Sequence, residues 1–248
     1  MKYLVIAFSL LALSACSSST PDPQEVVDRS IKSHGFDRLV NKEVSFTFRK
    51  KQYSVQRSND QYIYKRAYSD STGHIEDVLI NSTDLQRKLN TQIIQLDTEQ
   101  EFKAKEAVNS VLYFFQLPFG LNDNAVNKQY LGTDEVKGER YHLIKVTFEQ
   151  EGGGSDFQDQ YLYWIDAKDY HIDYLAYNYV VNGGGVRFRE AINKRTVDGM
   201  VFQDYVNYKP EDRDTPLTEL SGLFEEGKLK ELSRIVSQDI NIEQLPSS

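Results

Sequence analysis

The chain has 248 residues, which is enough for one large domain or two small ones. Hydrophobic residues make up 40% of it and charged residues 27%, a composition typical of a protein with a folded core and not of a disordered segment or a polytopic membrane protein. The net charge of −8 argues against nucleic-acid binding, which needs a basic surface, and the single cysteine excludes a disulfide framework or a cysteine-rich zinc site.

The N-terminus has the features of a secretory signal peptide with a lipidation site. A positive charge at Lys2 precedes an apolar run over residues 3–13, which is too short to span a bilayer. The run ends in Leu13-Ser14-Ala15-Cys16, which resembles the bacterial lipobox. We therefore expect residues 1–15 to be a signal peptide and Cys16 to be the lipidation site; an ordinary signal peptide with a chance cysteine is the alternative.

The residues after Cys16 predict a flexible tether and a location in the cell envelope. Residues 16–23 are polar, contain two prolines and show no periodicity, so they predict a lipidated tether. Ser17 stands where an aspartate would act as an inner-membrane retention signal in some bacteria. We expect the protein at the periplasmic face of the bacterial outer membrane, anchored by the lipid on Cys16.

The first half of the mature chain predicts one short helix and then a series of strands. Residues 24–34 have helical spacing of apolar residues and end before Gly35. Residues 44–96 contain short segments in which apolar and polar residues alternate, with turn-forming clusters between them. Such spacing is typical of an antiparallel sandwich, barrel or half-barrel.

A second helix is predicted from Thr98, acting as the cap with Glu101, to Leu117, before Pro118. The second half of this segment is almost entirely apolar and aromatic, and a helix that is apolar on every side is buried on every side. We therefore expect it to lie against the inner face of a curved sheet.

Antiparallel hairpins are predicted from Tyr130 onward, followed by two short amphipathic helices over residues 217–225 and 229–236. No linker divides the chain, so residues 24–240 are expected to form a single half-barrel domain, and residues 241–248 a polar tail. The predicted fold class is mainly β (α+β): a curved antiparallel half-barrel sheet of about 10–12 strands with helices packed in its concave face.

The sequence contains none of the common catalytic motifs GxSxG, HExxH or SxxK. The glycine triplets at 152–154 and 183–185 lack the Lys-Ser or Lys-Thr of a phosphate loop, so they predict hairpin turns, with a ligand-gating flap as the alternative. A metal site at Asp166, Asp169, His171 and Asp173 is disfavoured because these residues straddle a predicted turn. We expect no metal, no cofactor and no enzymatic activity.

Two segments are candidates for a ligand site. Val111, Phe114 and Phe115 share one side of the second helix, and such a helix over a curved sheet is a typical place for an apolar cavity. An inward-facing Arg189 could hold an acidic headgroup, although a cross-strand ion pair on a solvent face is the alternative. The full set of ligand-binding candidates is Val111, Phe114, Phe115, Phe119 at the cavity mouth, Trp164, Phe188, Arg189 and Phe202.

Several segments resemble an uncharacterised bacterial lipoprotein family, a domain of unknown function. They are Ser33-His34-Gly35 and residues 109–123, 147–154, 163–165, 183–190 and 204–210. The order of elements is also similar to the lipoprotein-localisation (Lol) carrier and receptor fold, an open half-barrel whose cavity receives acyl chains. Because Cys16 predicts a lipidated chain, this resemblance implies a protein nearer the membrane-anchored receptor than the soluble carrier.

The expected function is that of a membrane-anchored lipoprotein that binds an acyl chain, lipid or lipoprotein between sheet and helix, in envelope lipid or lipoprotein handling. A non-catalytic structural or interaction lipoprotein with a filled core is the alternative, and an envelope hydrolase is the third. The expected partners are the membrane, through the lipid anchor, and a lipid or lipoprotein ligand, with no nucleic acid. The protein is expected to be a monomer.

Overall fold

The computed structural model describes residues 20–58, 61–81, 83–151, 157–180 and 183–245. The predicted signal peptide, Cys16 and the first glycine triplet lie outside these residues.

Helix α1 (Pro23–Ser33) begins and ends one residue before the predicted range of 24–34. The Asp22 carboxylate caps its start by accepting from the Gln24 N–H, and its apolar face is buried. The chain then turns at Gly35, which has a left-handed φ of 70°. A Cβ at this position would clash with the Gly199 carbonyl oxygen, so both the turn and the close approach require glycine.

Seven antiparallel strands form sheet A, in the order β14-β1-β2-β3-β4-β5-β6. The chain thus runs through a meander of six strands and adds its last strand beside the first. The strands are β1 (Lys42–Phe48), β2 (Lys51–Arg57), β3 (Tyr62–Asp70), β4 (Gly73–Ile80), β5 (Asp84–Leu89), β6 (Gln92–Ile94) and β14 (Gln238–Gln244).

Seven further antiparallel strands form sheet B, in the order β13-β12-β11-β10-β9-β8-β7. Helix α2 (Thr98–Phe115) connects the two sheets, and helix α3 (Leu220–Glu225) lies between β12 and β13 in the chain. The strands are β7 (Val126–Val136), β8 (Glu139–Phe148), β9 (Tyr161–Asp166), β10 (Ile172–Tyr179), β11 (Gly185–Val197), β12 (Met200–Lys209) and β13 (Lys230–Ile235).

The two sheets share one core and sheet B has a second one behind it. The larger core contains residues of α1, α2 and the inner faces of both sheets. The smaller core lies on the opposite face of sheet B, under α3. Strand β9 is therefore buried on both faces. None of the helices in the described part of the chain is long and apolar enough to cross a membrane.

The predicted fold class is confirmed: the protein is mainly β, and its antiparallel sheets form an open half-barrel that is not closed into a barrel. The described residues contain fourteen strands, more than the number expected from the spacing of the sequence segments. Strand β14 accounts for one of the additional strands, and it includes polar residues at the start of the expected tail.

Three local predictions were wrong. Residues 230–235 form strand β13 and not a helix, because pairing with β12 satisfies their backbone groups and outweighs a helical spacing of apolar residues. Helix α2 is capped by Asp97, whose carboxylate accepts from the Gln100 N–H at 2.8 Å, and not by Thr98. The helix also ends at Phe115, two residues before Leu117.

A candidate ligand cavity between helix α2 and sheet B

A cavity of about 1220 Å³ lies between α2 and the inner face of sheet B. Strand β1 of sheet A borders it at one side, and the exposed Phe102 of α2 stands at its opening. Drug-sized ligands occupy roughly 300–1,000 Å³, so the space suits a larger, elongated molecule.

Helix α2 supplies the apolar wall. Val111, Phe114 and Phe115 all line the cavity, as the spacing of the helix predicts. Phe115 also reaches into the core, since its ring stacks on Phe46 with centroids 3.6 Å apart and on Phe202 with centroids 5.2 Å apart. Phe114 and Val111 are therefore the residues of this trio that face the cavity most directly.

Tyrosines from sheet B form the opposite wall. Tyr161 and Tyr177 stack with ring centroids 5.3 Å apart, and Tyr205 lies on the same face. Burial raises the pKa of Tyr205 to about 12 and that of Tyr161 well above its ordinary value, so these phenols are neutral. The wall thus offers aromatic surface with a few uncharged hydroxyl groups.

One hydrogen bond ties the helix to this wall. The hydroxyl groups of Tyr113 and Tyr163 lie 2.8 Å apart, and burial raises the pKa of both residues above the ordinary value. The bond links α2 directly to β9 at one side of the cavity.

Arg189 is a buried cation in this wall. Only 7% of its surface is exposed, and its guanidinium carbon lies 3.6 Å from the centroid of the Phe114 ring. Its Nη2 donates to the Tyr177 hydroxyl at 2.9 Å. The cavity lining contains four basic side chains and two acidic ones, in contrast to the net negative charge of the whole chain. They are Arg49, Lys103, Arg187 and Arg189, and Glu106 and Asp159.

The structure brings together part of the predicted set of ligand-binding residues. Val111, Phe114, Phe115 and Arg189 line the cavity. Phe202 lies behind it in the core, where its ring packs against Phe36 and Phe115.

Phe119, Trp164 and Phe188 do not line the cavity. The Phe119 ring lies below the guanidinium of Arg57, whose carbon is 4.8 Å from the ring centroid, and not at the cavity mouth. Trp164 and Phe188 occupy the other face of sheet B, in the smaller core under α3. Successive side chains of a strand point to opposite faces, so inward-facing neighbours force these two outward.

The sequence prediction missed the tyrosine wall and a second arginine. Tyr161 and Tyr163 alternate with Trp164 along β9, and Arg187 is two residues from Arg189 on β11. The alternation is visible in the sequence, but only the structure shows which set faces inward.

The turn that carries the disfavoured metal site has a structural role. The Asp166 carboxylate accepts from the backbone N–H groups of Lys168 at 2.7 Å and Asp169 at 2.9 Å. With these bonds, Asp166 stabilises the turn between β9 and β10.

Comparisons with known proteins identify the family of the chain and proteins of similar structure. Residues 2–237 match the model of one family, described as a family of unknown function (DUF6503). No protein with curated annotation matches the sequence. A LolA superfamily protein from Nitrosomonas europaea is similar in structure, with 12% identity, coverage of 90% of this chain and 94% of its own, and a TM-score of 0.52. This likeness shows a shared fold.

Two further structures are more distantly similar. A DUF1329 family protein from Desulfovibrio piger has 11% identity, covers 78% of this chain and 89% of its own, and has a TM-score of 0.41. A domain assigned to outer membrane lipoprotein sorting from Vibrio parahaemolyticus has 6% identity, coverage of 90% and 94%, and a TM-score of 0.38.

Proposed function

The chain belongs to this family of unknown function, as the motifs in its sequence indicate, and we propose its function from the residues that line the cavity. The protein binds an acyl chain, a lipid or the acyl part of a lipoprotein between α2 and sheet B, as a step in envelope lipid or lipoprotein handling. It acts by binding and not by catalysis.

The cavity itself is the observation that carries this proposal. Protein interiors are close-packed and leave few voids larger than a water molecule. A space of about 1220 Å³ lined by phenylalanine and tyrosine rings is therefore a feature that the fold maintains and not a packing defect. An apolar chain would replace water on these walls and gain about 0.8 kcal/mol for each buried CH₂ group.

Two further points support the proposal. The fold is shared with a LolA superfamily protein, and the lipobox-like segment before Cys16 favours a chain held at a membrane surface. A lipid anchor on Cys16 would keep the cavity close to the lipids or lipoproteins it receives. We place the protein at the periplasmic face of the outer membrane.

The alternative, an interaction lipoprotein with a filled core, is disfavoured by the size of the cavity. A filled half-barrel would need side chains from α2 to reach sheet B along the whole helix. They do so only near the end of the helix, at Tyr113, Phe114 and Phe115, while Val111 borders open space.

The test is the lipid content of the full chain with Cys16→Ser, which removes the covalent anchor and leaves the cavity intact. Mass spectrometry of the purified protein should detect co-purified lipid, and a fluorescent fatty acid should bind to the protein after delipidation. Val111→Trp, which places a larger side chain in the cavity beside Phe114, should weaken the binding of this probe at least tenfold. Ile93→Trp, at a position that is 59% exposed on strand β6, is the matched control and should bind normally.

Failure of the probe to bind to the wild-type chain, together with absence of co-purified lipid, would leave the interaction lipoprotein as the better interpretation. Equal binding by Val111→Trp and wild type would show that the probe binds elsewhere on the protein.

A further inference from the structure

Arg187 and Arg189 lie side by side on strand β11 and face the cavity together. In the register of sheet B, Arg187 is opposite Tyr177 and Arg189 is opposite Leu175 on β10. Phe188 between them points to the other face of the sheet. The two guanidinium groups therefore belong to one wall, at positions two residues apart.

Neither arginine forms an ion pair with a carboxylate of the described residues. No such carboxylate lies within 4.0 Å of either guanidinium, although Glu106 and Asp159 line the same cavity. The Nε atom of Arg189 is buried and has no hydrogen-bond partner among the described residues. A buried charge without a counter-ion is costly, so this arrangement persists only where something offsets the cost.

The other buried and half-buried arginines in the described part of the chain pair with aspartates. Arg66 and Arg87 both bind the carboxylate of Asp77 at 2.6 Å, and Arg195 binds Asp204 at 3.0 Å. The fold thus provides aspartates where an arginine has a structural role. Among the described residues, Arg187 and Arg189 differ from these arginines in having no aspartate or glutamate as a partner.

Aromatic rings hold the two guanidinium groups in place. Arg189 lies over Phe114 and beside Tyr177, with distances of 3.6 Å and 5.2 Å from the guanidinium carbon to the ring centroids. Arg187 lies 4.7 Å from the centroid of Tyr179, and its Nη1 donates to the Val186 carbonyl at 2.8 Å. Cation–π contacts offset part of the desolvation cost and leave N–H donors for a ligand.

We propose that Arg187 and Arg189 form a headgroup subsite, which selects amphiphiles that carry a carboxylate or phosphate group over neutral ones. This inference rests on the proposed function, because the apolar chain of the ligand would lie along Val111 and Phe114. The oxyanion supplies a direct counter-ion, which neither guanidinium has among the described residues, and a guanidinium binds carboxylate and phosphate with paired hydrogen bonds.

The experiment compares three ligands with the same acyl chain on the full chain with Cys16→Ser: palmitate, palmitoyl lysophosphatidic acid and neutral monopalmitin. Binding is measured by displacement of a neutral fluorescent lipid at fixed ionic strength. The wild type should bind both anionic ligands at least tenfold more tightly than monopalmitin. Inorganic phosphate at the same concentration should displace nothing, because it has no chain for the apolar wall.

The variant Arg187→Gln/Arg189→Gln should lose this preference and keep the affinity for monopalmitin. Arg189→Lys, which retains the charge, should keep a preference for the anionic ligands, and the matched control Arg140→Gln, at an exposed position on β8, should behave as the wild type. If the double variant does not fold, Arg187→Gln alone should reduce the preference at least threefold.

Equal binding of anionic and neutral ligands by the wild type would overturn the headgroup subsite and leave the proposed function standing. An unchanged preference in the double variant, or displacement by inorganic phosphate, would also overturn it. Failure of all three lipids to bind would refute the proposed function and the subsite together.

Discussion

The rings of Phe46 and Phe115 stack almost parallel, with centroids 3.6 Å apart and an angle of 13° between their planes. Phe46 belongs to strand β1 of sheet A, and Phe115 is the last residue of helix α2. Since Phe115 also contacts Phe202 of sheet B, one side chain joins both sheets to the helix. The cavity begins on the other side of this contact, at Phe114.

Phe115→Ala should lower the free energy of unfolding by about 3–5 kcal/mol, the usual cost of removing a packed phenylalanine. Phe114→Ala should cost clearly less, because this ring lines the cavity and loses mainly its contacts with Arg189 and Tyr177. Urea unfolding of the full chain with Cys16→Ser measures both changes. Equal large losses for the two variants would indicate that Phe114 lies in a filled core.

Asp77→Asn should lower the free energy of unfolding by about 3–5 kcal/mol, because it leaves two arginines without their shared counter-ion. Asp77 is fully buried and accepts from both Arg66 and Arg87. Asp84→Asn, at an exposed position on strand β5, is the control and should change the value by less than about 0.5 kcal/mol. A loss for Asp77→Asn no larger than for the control would contradict the role of the cluster in stability.

Acidification should destabilise the protein through His34. Burial lowers the pKa of this residue to about 4, and its Nδ1–H donates to the Ser30 carbonyl at 2.9 Å. The unfolded chain, with a histidine pKa of 6.5, binds a proton in a range where the folded protein does not. The free energy of unfolding should therefore be highest above pH 6.5 and fall toward pH 4, with a contribution from this residue of about 2 kcal/mol by pH 5.

Urea unfolding at pH 7 and pH 5 measures this change, and His34→Gln should remove most of it. His171, Lys194 and Asp169 also act on His34, so the comparison uses one buffer series at constant ionic strength. An equally steep fall in His34→Gln would assign the effect to other groups.

Trp164→Phe should destabilise the protein and leave ligand binding unchanged. The indole Nε1 donates to the Asp134 carboxylate at 2.7 Å in the core under α3, on the far side of sheet B from the cavity. Loss of this bond and of part of the ring should cost roughly 1–3 kcal/mol. Displacement of the fluorescent lipid should give the wild-type affinity. A large loss of affinity would mean that packing in the smaller core under α3 affects ligand binding in the cavity.

Cys16→Ser should abolish lipidation. Metabolic labelling with a palmitate analogue should mark the wild-type chain and the control Ser17→Ala, whose cysteine is retained. Equal labelling of wild type and Cys16→Ser would show that the lipid, if any, is attached elsewhere.

Local patterns in the sequence predicted most elements and one wall of the cavity. The apolar spacing of α2 placed Val111, Phe114 and Phe115 on the same side, since a helix has a fixed period of side-chain directions. In strands the side chains alternate just as regularly, but which of the two sets faces the core depends on how the sheet packs. For that reason the sequence could name Trp164 and Phe188 as candidates but could not show that both point away from helix α2. Strand β13 was missed because it depends on a partner strand more than twenty residues away in the chain.

Strand β9 is buried on both faces, and its alternate residues belong to two separate environments. Tyr161 and Tyr163 contribute to the inner face, while Leu162 and Trp164 hold the strand against the layer behind it. A mutation on the inner face should therefore change the proposed ligand site while leaving the packing of the strand against the smaller core intact. We expect relatives that differ in ligand preference to differ mainly at the inward-facing positions of strand β9. The positions between them should vary together with the residues of helix α3.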